Sequence, residues 1–188
     1  MSIELLKRRF DADEYQKMGR AGILSEDDRV ELINGEIIAM TPIGPRHNAA
    51  VARANRAFSR AVGDDAIVLV QGSIRLDLWN EPQPDIVLLR PAPDFYSSRL
   101  PGAADILLIV EVADSSLGYD SEVKLRLYAG AGVPEYWLVD LAARTVTRLT
   151  KPSGDTYQQQ ALHRAGESIA ADALPRCAIP VESLLADG

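Results

Sequence analysis

The sequence has little of what secreted, membrane-spanning or zinc-binding proteins require. It contains one cysteine, Cys177, and two histidines in 188 residues, which excludes an internal disulfide and leaves too few ligands for a structural zinc site. No apolar run approaches the ~18 residues of a transmembrane helix, and the first residues, MSIELLKRRFDADEY, lack the apolar stretch of a signal peptide. We therefore expect a cytoplasmic protein that does not contact membranes.

Aromatic and basic residues are also in short supply. Aromatics make up 6% of the chain, which argues against a sugar-binding platform. The formal net charge is −7 and the isoelectric point is near 4.9, whereas nucleic-acid-binding proteins usually carry a basic field. Apolar residues at 47% and charged residues at 25% are ordinary for a globular protein. A chain of this length predicts one domain, residues 1–188, with a sizeable core.

Two carboxylates stand beside or inside apolar runs. In QPDIVLL, Asp85 comes just before the apolar residues, and in DILLIVEVAD, Glu111 interrupts a run typical of a central strand buried on both faces. If the two strands are neighbours, these carboxylates lie roughly 5 Å apart, and like charges that close favour a hard cation such as Mg²⁺ or Mn²⁺. Alternation predicts that one face of the second strand carries Leu107, Ile109, Glu111 and Ala113.

A lysine follows on a predicted helix from Asp120 to Ala131. Helical spacing places Lys124 at the edge of the apolar side, aimed toward the sheet rather than at water. Gly130, Gly132 and Pro134 end this helix, and residues 135–140 then predict the next strand. The predicted apolar side consists of Val123, Leu127 and Ala131, and the predicted outer side of Glu122, Arg126 and Ala129.

The order of these elements resembles the core of the PD-(D/E)XK nuclease superfamily. Within it, EVADSSLGYDSEVKLRLYAGAGVPEYWLVD is similar to the Uma2 family, and the likeness extends to RVELINGEIIAM and over nearly the whole chain. The superfamily places a lysine two residues after the acid, where this chain has Ala113. The Uma2-like interpretation moves that lysine to Lys124. The resemblance implies a restriction-endonuclease-like α/β fold, with a mixed central β-sheet flanked by helices, an additional N-terminal hairpin and C-terminal strands.

The same resemblance implies a divalent-metal-dependent endonuclease that hydrolyses DNA. Asp85 and Glu111, with the carbonyl of Val112, would bind Mg²⁺ or Mn²⁺, and Lys124 would orient or deprotonate the attacking water and stabilise developing negative charge. Asp120, one turn before Lys124, would position it through an ion pair. A homodimer is expected of a nuclease that cuts both strands of DNA.

The N-terminal half adds two accessory candidates. Asp11 and Glu14 predict a capped helix, and Asn34-Gly35 predicts a hairpin over residues 29–40. Strand alternation allows Glu31 to face inward, where some relatives of the superfamily carry an additional acid. His47 matches a family position, although its place near a helix start favours a capping or core role.

A helix is predicted from His47 to Val62, and no acidic residue interrupts residues 46–63. Its basic side is interpreted first as a solvated face; the alternative is a stripe that contacts DNA phosphates and offsets the acidic total. This basic side consists of Arg46, Arg53, Arg56 and Arg60.

The remaining sequence predicts further strands. Ile67 to Leu78 predicts two short strands around Gln71-Gly72, residues 144–162 predict a hairpin, and the tail from Glu167 predicts an edge strand and a turn.

Other chemistries find less support. Ser115 and Ser116 have no nearby histidine or glycine-flanked elbow, and the glycines of AGAGV follow a helix rather than a strand, unlike a phosphate-binding loop. The main rival is a nuclease-fold binding or assembly module with weak or absent catalysis, favoured by the acidic total and the displaced lysine.

Overall fold

The site described below is built on a six-stranded sheet, seen in a computed structural model that describes residues 7–25 and 27–185. The strands are β1 (Val30–Ile33), β2 (Glu36–Ala39), β3 (Ile67–Val70), β4 (Ile86–Leu89), β5 (Ile106–Ala113), β6 (Glu135–Asp140), β7 (Thr145–Ser153), β8 (Thr156–Arg164), β9 (Ser168–Ile169) and β10 (Ile179–Pro180). Strands β3 to β8 form the central sheet in that order, and β5 with β6 is its parallel pair while the other neighbours are antiparallel. The predicted mixed sheet is confirmed.

Helices cover both faces of this sheet. They are α1 (Ala12–Arg20), α2 (Pro45–Val62), α3 (Leu117–Tyr119), a π-helical segment (Asp120–Lys124) and α4 (Leu125–Gly130), with 3₁₀ turns at Ala103–Asp105 and Val181–Ser183. The α3, π-helical and α4 segments are continuous, and we call residues 117–130 the site helix. α2 packs on the sheet face that carries Leu88 and Leu108, and the site helix packs on the face that carries Ile109 and Ala113. None of the helices in the described ranges is long and apolar enough to cross a membrane.

The N-terminal elements form as predicted. Asp11 caps α1 by accepting from the Glu14 N–H (2.7 Å), and the Glu14 side chain accepts in turn from the Asp11 N–H, which completes a capping box. Asn34 and Gly35 both have positive φ, 51° and 74°, as a two-residue hairpin turn requires. The resulting β1–β2 hairpin is a separate two-stranded sheet that pairs with the body through Leu32 and Glu81.

Strand β5 is the buried centre of the sheet, since all eight of its residues are buried. The predicted sharing of one face holds for Ile109 and Ala113 but is wrong for Leu107, which joins the opposite core with Leu108. The reason is a register shift against β4: Leu88 pairs with Leu108 and Leu89 with Ile106, so Leu107 is an extra residue on β5.

The face of the site helix was predicted only in part. Lys124 is directed inward as expected and is 3% exposed, but Val123 is 37% exposed and Ala129 is buried. Of the predicted apolar side, Leu127 and Ala131 pack against the core on this sheet face, whereas Val123 does not. A polar line of Asp120, Lys124 and Tyr128 also faces the sheet, because the acids there provide partners for buried polar groups.

Other differences are local. The second strand predicted before Leu78 is wrong: the chain turns after Val70 at Gln71, where φ is 47°, and Arg75 forms only an isolated bridge to Gly102. The predicted hairpin of β7 and β8 is confirmed. The tail adds β10, which pairs with β9 rather than with the central sheet, and Cys177 is buried against the α2 core.

Candidate active site

The register of β4 and β5 brings the two predicted acids together. Ile86 pairs with Val110, so Asp85 and Glu111 become neighbours at one end of the strand pair. The Asp85 N–H donates to Glu111 Oε2 (3.1 Å), and the Val112 N–H donates to Asp85 Oδ2 (2.9 Å). The backbone of each strand thus fixes the carboxylate of the other.

Lys124 reaches this pair from the site helix. Its Nζ lies 3.2 Å from Glu111 Oε1 and 2.8 Å from Glu31 Oε2, and all three side chains are buried. Tyr128, one turn further along, donates its hydroxyl to the same Glu111 oxygen (2.6 Å). The displaced lysine is therefore in contact with Glu111 and with the accessory candidate Glu31.

Glu31 enters the site from the β1–β2 hairpin. Besides Lys124, it accepts from the Tyr119 hydroxyl (3.1 Å) and from the Gln83 N–H (3.2 Å). The hairpin is thereby tied to the site helix and to the segment that precedes β4. Glu31 faces inward, the orientation that strand alternation allowed.

Asp120 is buried beside the site but does not bind Lys124 as predicted. Its Oδ2 accepts from the Ser116 hydroxyl (2.5 Å), while the Lys124 ammonium is held by Glu31 and Glu111. The ion pair expected between Asp120 and Lys124 is therefore not formed. Within the π-helical segment the Leu125 N–H bonds back to the Asp120 carbonyl, five residues earlier, and such widened turns are frequent at functional sites.

His47 lies at the start of α2, but Gly44 is the residue that caps this helix. The His47 Nε2 lies 3.0 Å from Asp85 Oδ2, and its buried Nδ1 has no partner within the described residues. A capping role is therefore wrong, and the imidazole is instead the closest side-chain neighbour of Asp85.

The four arginines of the α2 stripe do not surround this site. Arg46 lies near its rim, 3.5 Å from Asp114, and donates to the Leu141 carbonyl (2.5 Å). Arg53 donates to the Glu182 carbonyl (3.2 Å). Arg56 and Arg60 are exposed on α2, which covers the sheet face opposite Glu111. Their contact with phosphates stays a prediction.

The four acids described above, His47 and Lys124 line one cavity of about 430 Å³. Its walls come from the hairpin, the start of α2 and the site helix, and its floor is the Asp85–Glu111 pair. Acidic side chains outnumber the basic ones, Arg29, His47 and Lys124, along its lining. The cavity therefore carries an excess of negative charge.

Burial controls the protonation of these acids. It raises the pKa of Glu111 to about 8, with help from the Asp85 and Asp120 charges and against the opposing charge of Lys124. Burial likewise raises the pKa of Asp120 to about 6, although the Ser116 hydrogen bond and Lys124 oppose it. In the absence of a cation, burial therefore disfavours the ionised form of Glu111.

Two basic groups beside these acids, Lys124 and His47, have raised pKa values. Burial alone would lower the pKa of Lys124, but the Glu111 and Glu31 charges raise it above its ordinary value. Burial would also lower the pKa of His47, but the hydrogen bond and charge of Asp85 raise it. Lys124 is consequently an ammonium throughout the neutral range.

Several contacts of the site had no signal in the sequence. Gln83 holds Glu31, Ser116 holds Asp120, and Gln71 donates to Asp85 Oδ1 at a long 3.4 Å. All three are polar residues in turns or loops, where such side chains are common. The QPD order could have drawn attention to Gln83, but Gln71 and Ser116 could be found only from the fold.

The oxygen ligands of the site fit a hard cation that keeps part of its hydration shell. Within the described residues, no three His, Cys, Asp or Glu side chains form a group that could hold a metal by themselves. Mg²⁺, however, is commonly bound by one or two carboxylates together with water and substrate phosphate. Asp85 Oδ1, with its long hydrogen bond, and the buried carboxyl of Glu111 meet that requirement.

The sheet order and the site geometry define an α/β domain of the restriction-endonuclease type. Over residues 12–182 the chain matches the family model described as "Uma2: Putative restriction endonuclease", and it belongs to that family. No curated protein matches it. It is similar to the crystal structure of "a putative nuclease belonging to DUF820" from Anabaena variabilis, with a TM-score of 0.71 and 15% identity over 93% of this chain and 97% of that one. At this identity the likeness concerns the fold.

Proposed function

We propose that this protein is a divalent-metal-dependent endonuclease that hydrolyses DNA phosphodiester bonds. The observation that carries the proposal is the meeting of Asp85, Glu111 and Lys124 in one cavity, with Lys124 Nζ 3.2 Å from Glu111 Oε1. These residues come from two strands and a helix, and buried ionisable groups, which are costly to fold, are concentrated at functional sites. Membership of a nuclease family supports the same reaction class.

The acids have the role of ligands in this proposal. Asp85 and Glu111, with the Val112 carbonyl, would hold Mg²⁺ or Mn²⁺ against the scissile phosphate. When bound, the ion supplies Lewis-acid stabilisation of the negative charge that develops there. The hydrogen bonds from the Asp85 and Val112 N–H groups keep both carboxylates oriented before substrate arrives.

Lys124 has an electrostatic role. Because its pKa is raised by Glu111 and Glu31, it does not accept a proton from water at neutral pH. Orientation of the attacking water and stabilisation of developing negative charge are therefore better supported than deprotonation. Glu31, held by Tyr119 and the Gln83 N–H, would position the ammonium.

Cleavage of supercoiled plasmid and of single-stranded DNA with Mg²⁺, Mn²⁺ or EDTA tests the proposal. We expect metal-dependent cleavage that falls by at least about 100-fold in Asp85→Asn, Glu111→Gln and Lys124→Met. Asp155→Asn, at the exposed turn between β7 and β8, is the matched control and should cleave like the parent. Cleavage that persists in EDTA or in all three variants would contradict the proposal.

A catalytically weak binding or assembly module is the second candidate. It is favoured by one observation: the ammonium of Lys124 and the Oδ2 of Asp85 already have protein partners, so these two groups need no ligand to compensate them. Calorimetric titration with Mn²⁺ separates the two candidates. A nuclease should bind Mn²⁺ and lose that binding in Asp85→Asn, whereas a binding module need not bind the ion.

A further inference from the structure

We propose that the cavity takes a single unstacked nucleotide, so that the substrate is single-stranded DNA or a duplex with an unpaired nucleotide, and that Arg29 binds its phosphate. This inference rests on the proposed nuclease function and specifies its substrate. It is carried by the depth of the acids, the composition of the hairpin wall and the position of Arg29.

The two acids are largely covered by the walls of the cavity. The side chains of Asp85 and Glu111 are 14% and 6% exposed, at the bottom of a cavity of about 430 Å³. That volume is in the range of roughly 300–1,000 Å³ typical of small-molecule sites. Enzymes that take a base into a pocket of this kind use single strands or extrude the nucleotide from the stack, because stacked and paired bases cannot enter.

The wall that the hairpin contributes is apolar. Ile38, Met40, Pro42 and Ile43 line it, and each is at least partly accessible to solvent. Such side chains suit the flat face of a base by van der Waals contact but offer no hydrogen bonds that distinguish one base from another. The wall thus fits an unpaired base of any identity.

Arg29 stands at the start of this wall, just before β1. Within residues 7–25 and 27–185, no group forms a hydrogen bond or an ion pair with its guanidinium, although the side chain lines a cavity rich in carboxylates. Arg46, the other arginine close to the rim, is bound to Asp114 and the Leu141 carbonyl. Arg29 is therefore the arginine positioned to receive a phosphate oxygen of the strand.

The charge balance also favours a short single-stranded contact. Duplex binding depends on neutralising many phosphates at once, and the sheet face that carries Glu111 presents few cations around this cavity. The chain as a whole has a net charge of −7. One guanidinium and a bound divalent ion match one or two phosphates.

Separate measurements of binding and of cleavage test the inferred preference for an unpaired nucleotide. Fluorescence anisotropy with Ca²⁺ compares a labelled single strand of about 12 nucleotides with the matching duplex, a length within the site sizes of single-strand-binding proteins. Cleavage with Mn²⁺ then compares the single strand, the perfect duplex and a duplex with one bulged nucleotide. We expect the single strand to bind, and the single strand and the bulge to be cut, at least about tenfold better than the duplex, since the duplex must first be unpaired.

Two arginine variants identify the phosphate contact. Arg29→Ala should weaken single-strand binding by at least about tenfold, as expected for a charge-assisted contact, and should raise KM more than it lowers kcat. Arg126→Ala, on the exposed side of the site helix, should change neither. Equal or tighter binding of the duplex, or an Arg29→Ala variant that binds like the parent, would overturn the inference even if cleavage is seen. Absence of cleavage despite single-strand binding would instead contradict the proposed function.

Discussion

Lys124 is the residue on which three parts of the chain converge. It bonds to Glu31 of the hairpin and Glu111 of β5, and it lies 5.9 Å and 6.0 Å from the ring centroids of Tyr119 and Tyr128. An ammonium buried this deeply must be compensated by such partners. The same contacts that make Lys124 suited to chemistry therefore make it part of the stability of the fold.

Replacing Lys124 should accordingly destabilise the protein, apart from any effect on the proposed cleavage. We expect Lys124→Met to lower the free energy of unfolding by about 3–5 kcal/mol, because two buried carboxyls lose their cation. Urea denaturation measures this change. In the double variant with Glu31→Gln the loss should be smaller than the sum of the single losses, and strict additivity would show that the two side chains do not interact.

At the scale of elements, the hairpin is the part whose position most directly affects the site. Gly35 has a φ of 74°, and a Cβ there would lie 2.8 Å from the Arg9 Cβ and 3.2 Å from the Phe10 carbonyl oxygen. The turn is thus fitted against the segment before α1. Only glycine avoids both the backbone strain and the close contact.

We expect Gly35→Ala to lower the free energy of unfolding by more than the roughly 1–2 kcal/mol that a left-handed alanine costs. Gly154→Ala is the matched control, because Gly154 also has positive φ (60°) but a Cβ there would meet no atom within 4 Å. Chemical denaturation of both variants separates the cost of the close contact at Gly35 from the cost of the left-handed backbone. Equal losses would mean that the hairpin tolerates displacement.

The sequence was informative about elements wherever one local signal dominated. The capping box of α1, the Asn34-Gly35 turn and the buried run of β5 were each predicted from neighbouring residues and are confirmed. The extra residue at Leu107 was not predicted, and the inner face of the site helix was predicted only in part, since both depend on what packs against them. A wheel of apolar residues could not reveal that Asp120 would face inward.

Within the site, the residues that stood out were charged residues in apolar surroundings. Asp85, Glu111 and Lys124 were found this way, and the structure brings them together. Arg29 and Gln83 were missed because each lies in an ordinary polar stretch, and only the placement of the hairpin over the sheet brings them to the cavity. Such long-range placement is not encoded in any local pattern.

For the whole molecule, the raised pKa values predict how stability depends on pH in the absence of metal. The folded protein retains protons on Glu111 up to pH of about 8 and on Asp120 up to about 6, whereas the unfolded chain releases them near their ordinary values. The folded state therefore binds more protons, and its stability should decrease as pH rises from about 5 to about 8, by up to about 1.4 kcal/mol per pH unit for each such proton. The pKa of His47 is also raised, so this group contributes to the pH dependence of stability in the same direction.

Thermal denaturation in EDTA across this range checks the prediction. The melting temperature of the parent should fall toward pH 8, and Glu111→Gln, which has no proton to lose, should show a shallower fall above pH 6. Identical slopes for the two proteins would indicate that Glu111 is ionised in the folded state. Adding Mn²⁺ should reduce the slope of the parent if the carboxylates bind the ion.

The site helix is also the connection between β5 and β6, the parallel pair of the central sheet. A parallel pair cannot be closed by a short turn and needs such a crossover. A packed segment is therefore needed there whether or not the protein has the proposed activity, and replacement of Lys124 alone would leave Glu31 and Glu111 buried without their cation. Divergence at this site is expected to proceed through joint changes at Glu31, Glu111 and Lys124 rather than by single substitutions.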